Sequence, residues 1–134
     1  MSGYSTTPLA KKLSLKDGMR VWWDGVPDSV RAEIRSSGLA LKHRSTPIGP
    51  LDAAHIFVRQ RDVLDCKLRL LLPLLAPSGF VWVSWPKKSA KQDTEITEDV
   101  IRAVALPMGL VDIKVCAVDE IWSALKLVIR KELR

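Results

Sequence analysis

Two apolar runs, "LDAAHIFV" (residues 51–58) and "FVWVSW" (residues 80–85), constrain this chain more than any other feature. Neither alternates apolar with polar residues, so neither suits a strand with one face in water. A strand of this kind is covered on both faces, as in the middle of a parallel sheet. Between the runs, Arg59 to Ala76 carries Leu64, Leu68, Leu71, Leu72 and Leu75 in one stripe at helical spacing. Strand, helix and strand in that order predict a right-handed βαβ crossover. Pro73 tightens the helix's last turn, and Pro77-Ser78-Gly79 turns the chain into the second strand.

The flanking segments extend the same alternation. "TTPLAKKLSL" predicts a helix with Thr7 as cap and Pro8 at the first helical position. Met19 to Trp23 reads as a short strand between the Asp17-Gly18 and Asp24-Gly25 turns. A second helix follows in "PDSVRAEIRSSG", capped by Asp28 or Ser29 and stopped at Gly38; Leu39 to Arg44 is then a short strand, and "STPIGP" a loop. In "EITEDVIRAVALPMG" Thr97 is the cap, Ile96 and Ile101 form a hydrophobic staple across it, and Gly109 ends the helix. "VDIKVCA" and "WSALKLVIR" are close enough in sequence to pair as an antiparallel hairpin through Val118-Asp119-Glu120-Ile121. The expected fold is α/β: three layers around a mostly parallel sheet, closed by a C-terminal antiparallel hairpin, with residues 1–134 as a single domain.

Apolar residues make up 47% of the chain, enough for a core between such layers, yet no apolar run is long enough to span a bilayer. The N-terminus lacks the basic-then-apolar pattern of an export signal, and Cys66 and Cys116 form neither a CxxC nor a Cys/His cluster. A cytoplasmic protein with two buried, inert thiols and no metal is the expectation. The net charge of +6 favours acidic partners, but Lys and Arg are spread along the chain, which weights the balance toward plain solubility.

Parallel sheets bind ligands beyond the carboxyl ends of their strands. That rule collects Trp23 and Asp24 after the first strand, Arg59 after the His55 strand, and Trp85, Lys87 and Lys88 after the "FVWVSW" strand. The hairpin residues Asp119, Glu120 and Trp122 arrive at the same edge because the last strand runs backwards. These nine residues are the candidate ligand-binding rim. Four indoles, Trp22, Trp23, Trp85 and Trp122, are expected to cluster there, with Trp82 in the core. Arg59 is expected to pair with Asp119 or Glu120. No catalytic group stands out. Asp119 and Glu120 are adjacent and point opposite ways in extended chain, His55 reads as a hydrogen-bonded core histidine, His43 as exposed, and Ser84 lacks the glycines of a nucleophile elbow.

The segments "LLLPLLAPSGFVWVSWP" and "GLVDIKVCAVDEIWSALKLVIRK" resemble the fourth-to-fifth and sixth-to-seventh strand regions of the Rossmann-like fold of class I S-adenosylmethionine-dependent methyltransferases. The chain as a whole, through "GYSTTPLAKKL", "MRV", "WVSWPKK" and "ITEDVIR", is also similar to a small bacterial family of uncharacterised domains of about this length. The resemblance implies a glycine-rich turn after the first strand and an acid at the end of the second to hold cofactor ribose. This sequence has "VWWDGVPDSV" with the single Gly25 at the first place, and the basic "LKHRS" at the second. The stretch from Arg44 to Leu51 is also too short for a further βα unit. These departures predict a reduced methyltransferase-like fold in which tryptophan bulk fills the cofactor site, so no cofactor is expected and S-adenosylmethionine is disfavoured. The leading expectation is a non-enzymatic binding or regulatory module that takes a small anion or a protein partner at the Lys87–Asp119–Trp122 rim. An active methyltransferase with an atypical cofactor pocket and a nucleic-acid-binding module are the alternatives, and a homodimer through sheet edges or indole surfaces stays open.

Overall fold

The computed structural model describes residues 7–134. Six strands form one sheet in the order β2-β1-β3-β4-β6-β5. Strands β1 (Arg20–Asp24), β2 (Lys42–His43), β3 (Leu51–Phe57) and β4 (Leu75–Pro86) run parallel, whereas β6 (Trp122–Ile129) is antiparallel to both β4 and β5 (Leu110–Ala117). The mixed sheet with its closing hairpin is the architecture expected from the alternation of elements.

Helices cover both faces. On one side α3 (Arg61–Leu71) and α4 (Glu98–Ala105) bury Leu64, Leu68, Leu71, Ile101 and Val104 against Ile56, Val81, Val83 and Leu125. On the other, α1 (Leu9–Lys12) and α2 (Asp28–Arg35) pack Leu9, Leu13, Val30 and Ile34 against Val21, Phe80 and Trp82. Trp82 is fully buried, as expected, and its Nε1–H donates to the Leu13 carbonyl at 2.8 Å, which pins α1 to the sheet. Among the described residues no helix is long and apolar enough to cross a membrane.

The α4 start matches its sequence signature. The Thr97 hydroxyl accepts from the Val100 N–H at 3.1 Å, Ile96 and Ile101 are both buried in one cluster, and Gly109 leaves with φ +96. Other boundaries move. Pro8 occupies the N-cap position of α1 and Pro27 that of α2; neither Asp28 nor Ser29 caps by its side chain. The strand expected over Leu39 to Arg44 shrinks to Lys42–His43 at the sheet edge.

The Pro77-Ser78-Gly79 turn lies inside β4 rather than before it. Pairing steps from Leu51↔Leu75 to Ala53↔Phe80, so Asp52 alone on β3 faces the four residues Ala76 to Gly79 on β4 and the chain bulges. Gly79 makes the bulge fit: a Cβ there would sit 2.7 Å from the Leu51 carbonyl oxygen and 3.0 Å from that of Ala76, both rigid backbone.

Candidate functional site

Topology brings the expected segments to one rim. Asp24 pairs with Ile56, Phe57 with Ser84, and Pro86 with Trp122, so the carboxyl ends of β1, β3 and β4 and the β5–β6 hairpin share one edge. The lysine loop after β4 is tied down there: the Lys87 N–H donates to the Ile121 carbonyl at 2.7 Å, and a short helical turn ends at Lys91 with φ +52. Pro86, which has no N–H to donate, sits where the ladder stops. A buried strand therefore terminates in charge because the chain emerges into solvent at that residue.

The rim residues do not form one cluster. Adjacent strand residues point to opposite faces, so Trp22 packs on the α3/α4 side and Trp23 on the α1/α2 side. Trp85 is buried on the first side and Trp122 on the second. The expected gathering of four indoles is thus corrected to two pairs separated by the sheet. Asp24 is ion-paired with Lys67 of α3. Arg59 pairs with neither Asp119 nor Glu120: its Nη2 donates to Gln92 Oε1 at 2.6 Å and its guanidinium lies 4.8 Å from the centre of the Trp122 ring. Asp119 Oδ1 accepts from the N–H groups of Ile121 and Trp122, both at 2.8 Å, and so shapes the hairpin turn. Glu120 is exposed.

Clefts open around this framework. One of about 810 Å³ lies beyond β4, with Trp85, Lys87 and Lys88 on one wall and Glu98, Asp99 and Arg102 of α4 on another. Arg102 is committed to Asp112, Glu98 and Asp99 at 2.9–3.2 Å, whereas Lys87 and Lys88 form no ion pair among the described residues. A second cleft, about 610 Å³, lies beyond β3 and is lined by Phe57, Arg59, Val63, Asp93 and Glu95. It adjoins the Gly25 turn, since Gly25, at φ +74, approaches Phe57 closely enough that a Cβ there would touch it at 3.5 Å. Neither Trp22 nor Trp23 lines this cleft. The third, beside β2, brings together Trp23, Arg31, Arg35, His43 and Arg44. Only Trp23 of these was anticipated as a site residue. The signal for the others was present: Arg31 and Arg35 are four apart on one helix, and His43-Arg44 end the next strand.

The buried polar groups sit away from the clefts' mouths. His55 Nε2 lies 2.6 Å from Ser84 Oγ, its ring stacks on Phe57 at 4.6 Å, and burial pushes its pKa down to about 3, so it stays neutral. This is the core histidine the sequence implied. Burial also raises the Cys116 thiol pKa. Cys66, expected to be buried, is exposed on α3. No group of metal-ligating side chains occurs among the described residues.

No family model and no curated protein matches the sequence. Solved structures do share its fold. A methyltransferase from Thiobacillus denitrificans, in complex with S-adenosyl-L-homocysteine, superposes with a TM-score of 0.59 at 12% identity over 95% of this chain and 92% of its own. Magnesium protoporphyrin IX methyltransferase from Synechocystis PCC 6803, with bound S-adenosylmethionine, gives 0.58 at 10% identity over 92% and 74%. Fibrillarin from Aeropyrum pernix, with natively bound S-adenosyl-L-methionine, gives 0.52 at 13% identity over 94% and 70%. These findings correct the expectation of no cofactor, because proteins that share this fold hold the very group that was disfavoured. The chain has the Rossmann-like fold of the class I S-adenosylmethionine-dependent methyltransferases, in a reduced six-stranded form.

Proposed function

We propose that the chain binds S-adenosylmethionine or S-adenosylhomocysteine in the cleft beyond β3, next to the Gly25 turn, and serves an anionic acceptor or partner at the neighbouring lysine-lined cleft. The observation that carries this reading is the Rossmann-like fold, shared with proteins that hold those molecules. The residues fit the group in size and charge. About 610 Å³ is ample for a small ligand, and Asp93 and Glu95 supply negative charge opposite a sulfonium or ammonium. Glu95 Oε1 is oriented by the Arg61 N–H at 2.8 Å. Gly25 supplies a left-handed turn that other residues adopt only at a cost. When bound, S-adenosylmethionine supplies an electrophilic methyl group. The chain's own part is to hold the ligand's charged end by Asp93 and Glu95 and to keep its β1–α2 turn clear of side chains. His55 is no candidate for a general base: it is buried and already engaged by Ser84.

The cleft beyond β4 favours an anion because Lys87 and Lys88 are uncommitted on its wall, while Trp85 and Ile96 provide apolar surface. A purely binding or regulatory role is favoured by one specific observation: the rim carboxylate Asp24 is occupied by Lys67 and Asp119 by backbone amides, so neither is free to act as an acid or base. Titration calorimetry with S-adenosylhomocysteine tests the cofactor reading. Saturable binding weakened by Asp93→Asn and Glu95→Gln is expected, and binding indifferent to both would refute the placement. Titrating acidic metabolites against Lys87→Ala and Lys88→Ala tests the anion site. A steep fall of affinity with salt for single-stranded DNA would instead favour the nucleic-acid module.

A further inference from the structure

The cleft beside β2 differs from the two on the rim. It lies where the sheet ends in a two-residue strand, and it runs from Arg44 and Ser45, past that strand's carboxyl end, back to Leu39 and Leu41 ahead of it. Its volume is about 460 Å³, and its charged lining has one sign only: Arg31 and Arg35 from α2, Arg44 after β2, and the titratable His43. None of the three arginines forms an ion pair among the described residues. The Arg31 Nε–H reaches only the Val26 carbonyl, at 3.4 Å, and its guanidinium lies 5.3 Å from the Trp23 ring centre. Trp23 meets the His43 ring edge-on at 4.5 Å. Burial, then the charges of Arg31 and Arg35, hold the His43 pKa below the usual histidine value, so the imidazole registers the positive field.

Like charges gathered around an apolar wall with no counterion repel one another, and a bound anion relieves that repulsion. Guanidinium forks match phosphate oxygens geometrically, better than lysine's point charge does. An indole with leucines beside it suits a flat, weakly polar body. We propose that this cleft binds a nucleoside phosphate, with Arg31, Arg35 and Arg44 on the phosphate and Trp23, Leu39 and Leu41 against the base. It shares no lining residue with either rim cleft, so the assignment stands independently of the cofactor reading.

The test titrates the full chain with AMP, GMP, CMP and UMP, with the four nucleosides, and with inorganic phosphate, following heat and indole fluorescence. At least one mononucleotide is expected to bind about tenfold or more tighter than its nucleoside and than phosphate. The double variant Arg35→Gln/Arg44→Gln should lose that gain while keeping its melting temperature and its response to S-adenosylhomocysteine. Mononucleotide binding should also shift the Trp23 indole N–H resonance in NMR, a readout that needs no variant. The proposal is overturned if no nucleotide binds tighter than its nucleoside, if the double variant binds as the parent does, or if resonance shifts fall on the Arg59 or Lys87 clefts instead. A 5′-phosphorylated hexanucleotide binding about tenfold tighter than every mononucleotide would reassign the site to a nucleic-acid end and equally overturn it.

Discussion

The two faces of the sheet are covered unequally. Under α3 and α4 the buried cluster is aliphatic apart from Trp85, and its helices hold the middle of the sheet. Under α1 and α2 the layer is thinner: α1 is one turn long, aromatic rings replace aliphatic chains at Phe80, Trp82 and Trp122, and the polar pair His55–Ser84 lies buried between strands. Beyond α2 the layer ends, and the arginine cleft begins. The first face supplies an aliphatic, cohesive core whose chemistry is confined to its rim. The second trades cohesion for polar and aromatic groups, and its open edge is where uncompensated charge collects. Among the described residues no helix or strand lies between β2 and β3 to cover that edge.

Four perturbations sharpen this contrast. The largest effect is expected from Leu68→Ala on α3, a fully buried side chain, which should cost about 3 kcal/mol in urea unfolding through lost burial and an unfilled cavity. Trp82→Phe should cost about 2 kcal/mol on the other face. It removes volume and leaves the Leu13 carbonyl without its donor, and α1 should then exchange amide hydrogens faster than α3.

A pH test isolates the buried polar pair. His55 has a folded pKa of about 3, well below the ordinary value of 6.5 expected in the unfolded chain. Below that unfolded value the unfolded chain takes up a proton that the folded chain refuses. Stability contributed by neutral His55 is therefore intact above about pH 6.5 and falls toward pH 3, by about 2 kcal/mol between pH 7 and pH 5. His55→Gln should flatten that slope, whereas His43→Gln should flatten it less, because partial burial and the charges of Arg31 and Arg35 lower the His43 pKa by a smaller margin. A slope unchanged in His55→Gln would contradict the burial argument. The smallest effect belongs to Arg35→Gln at the open edge, within about 0.5 kcal/mol of the parent, because an exposed arginine with no ion pair has little to lose. A large loss there would mean the edge is structural.

Much of the fold was legible because it rests on local pattern. The unbroken runs around His55 and Val81, the leucine stripe of α3 and the Thr97 cap each point to one structure only, whereas the apolar alternation of β5 does not, because Ile113 and Val115 are exposed where its register shifts. What the sequence hid is set by partners far along the chain. The bulge at Ala76–Gly79 exists because β4 must re-register against Leu51, and Asp24 meets Lys67 across 43 positions. The rim was found because strand polarity determines it. Its internal wiring was not, because which side of the sheet Trp22 or Trp23 takes depends on register, and a shift of one residue reverses both. The arginine cleft was overlooked because its residues look ordinary until α2 is laid beside β2.

The most direct test of the cofactor assignment is calorimetric titration of S-adenosylhomocysteine into the full chain, with Gly25→Val as control. Binding of one equivalent with Kd at or below about 100 μM, at least about tenfold weaker in Gly25→Val, is the expected result. No saturable heat up to about 1 mM ligand, or equal affinity in the two proteins, would contradict it.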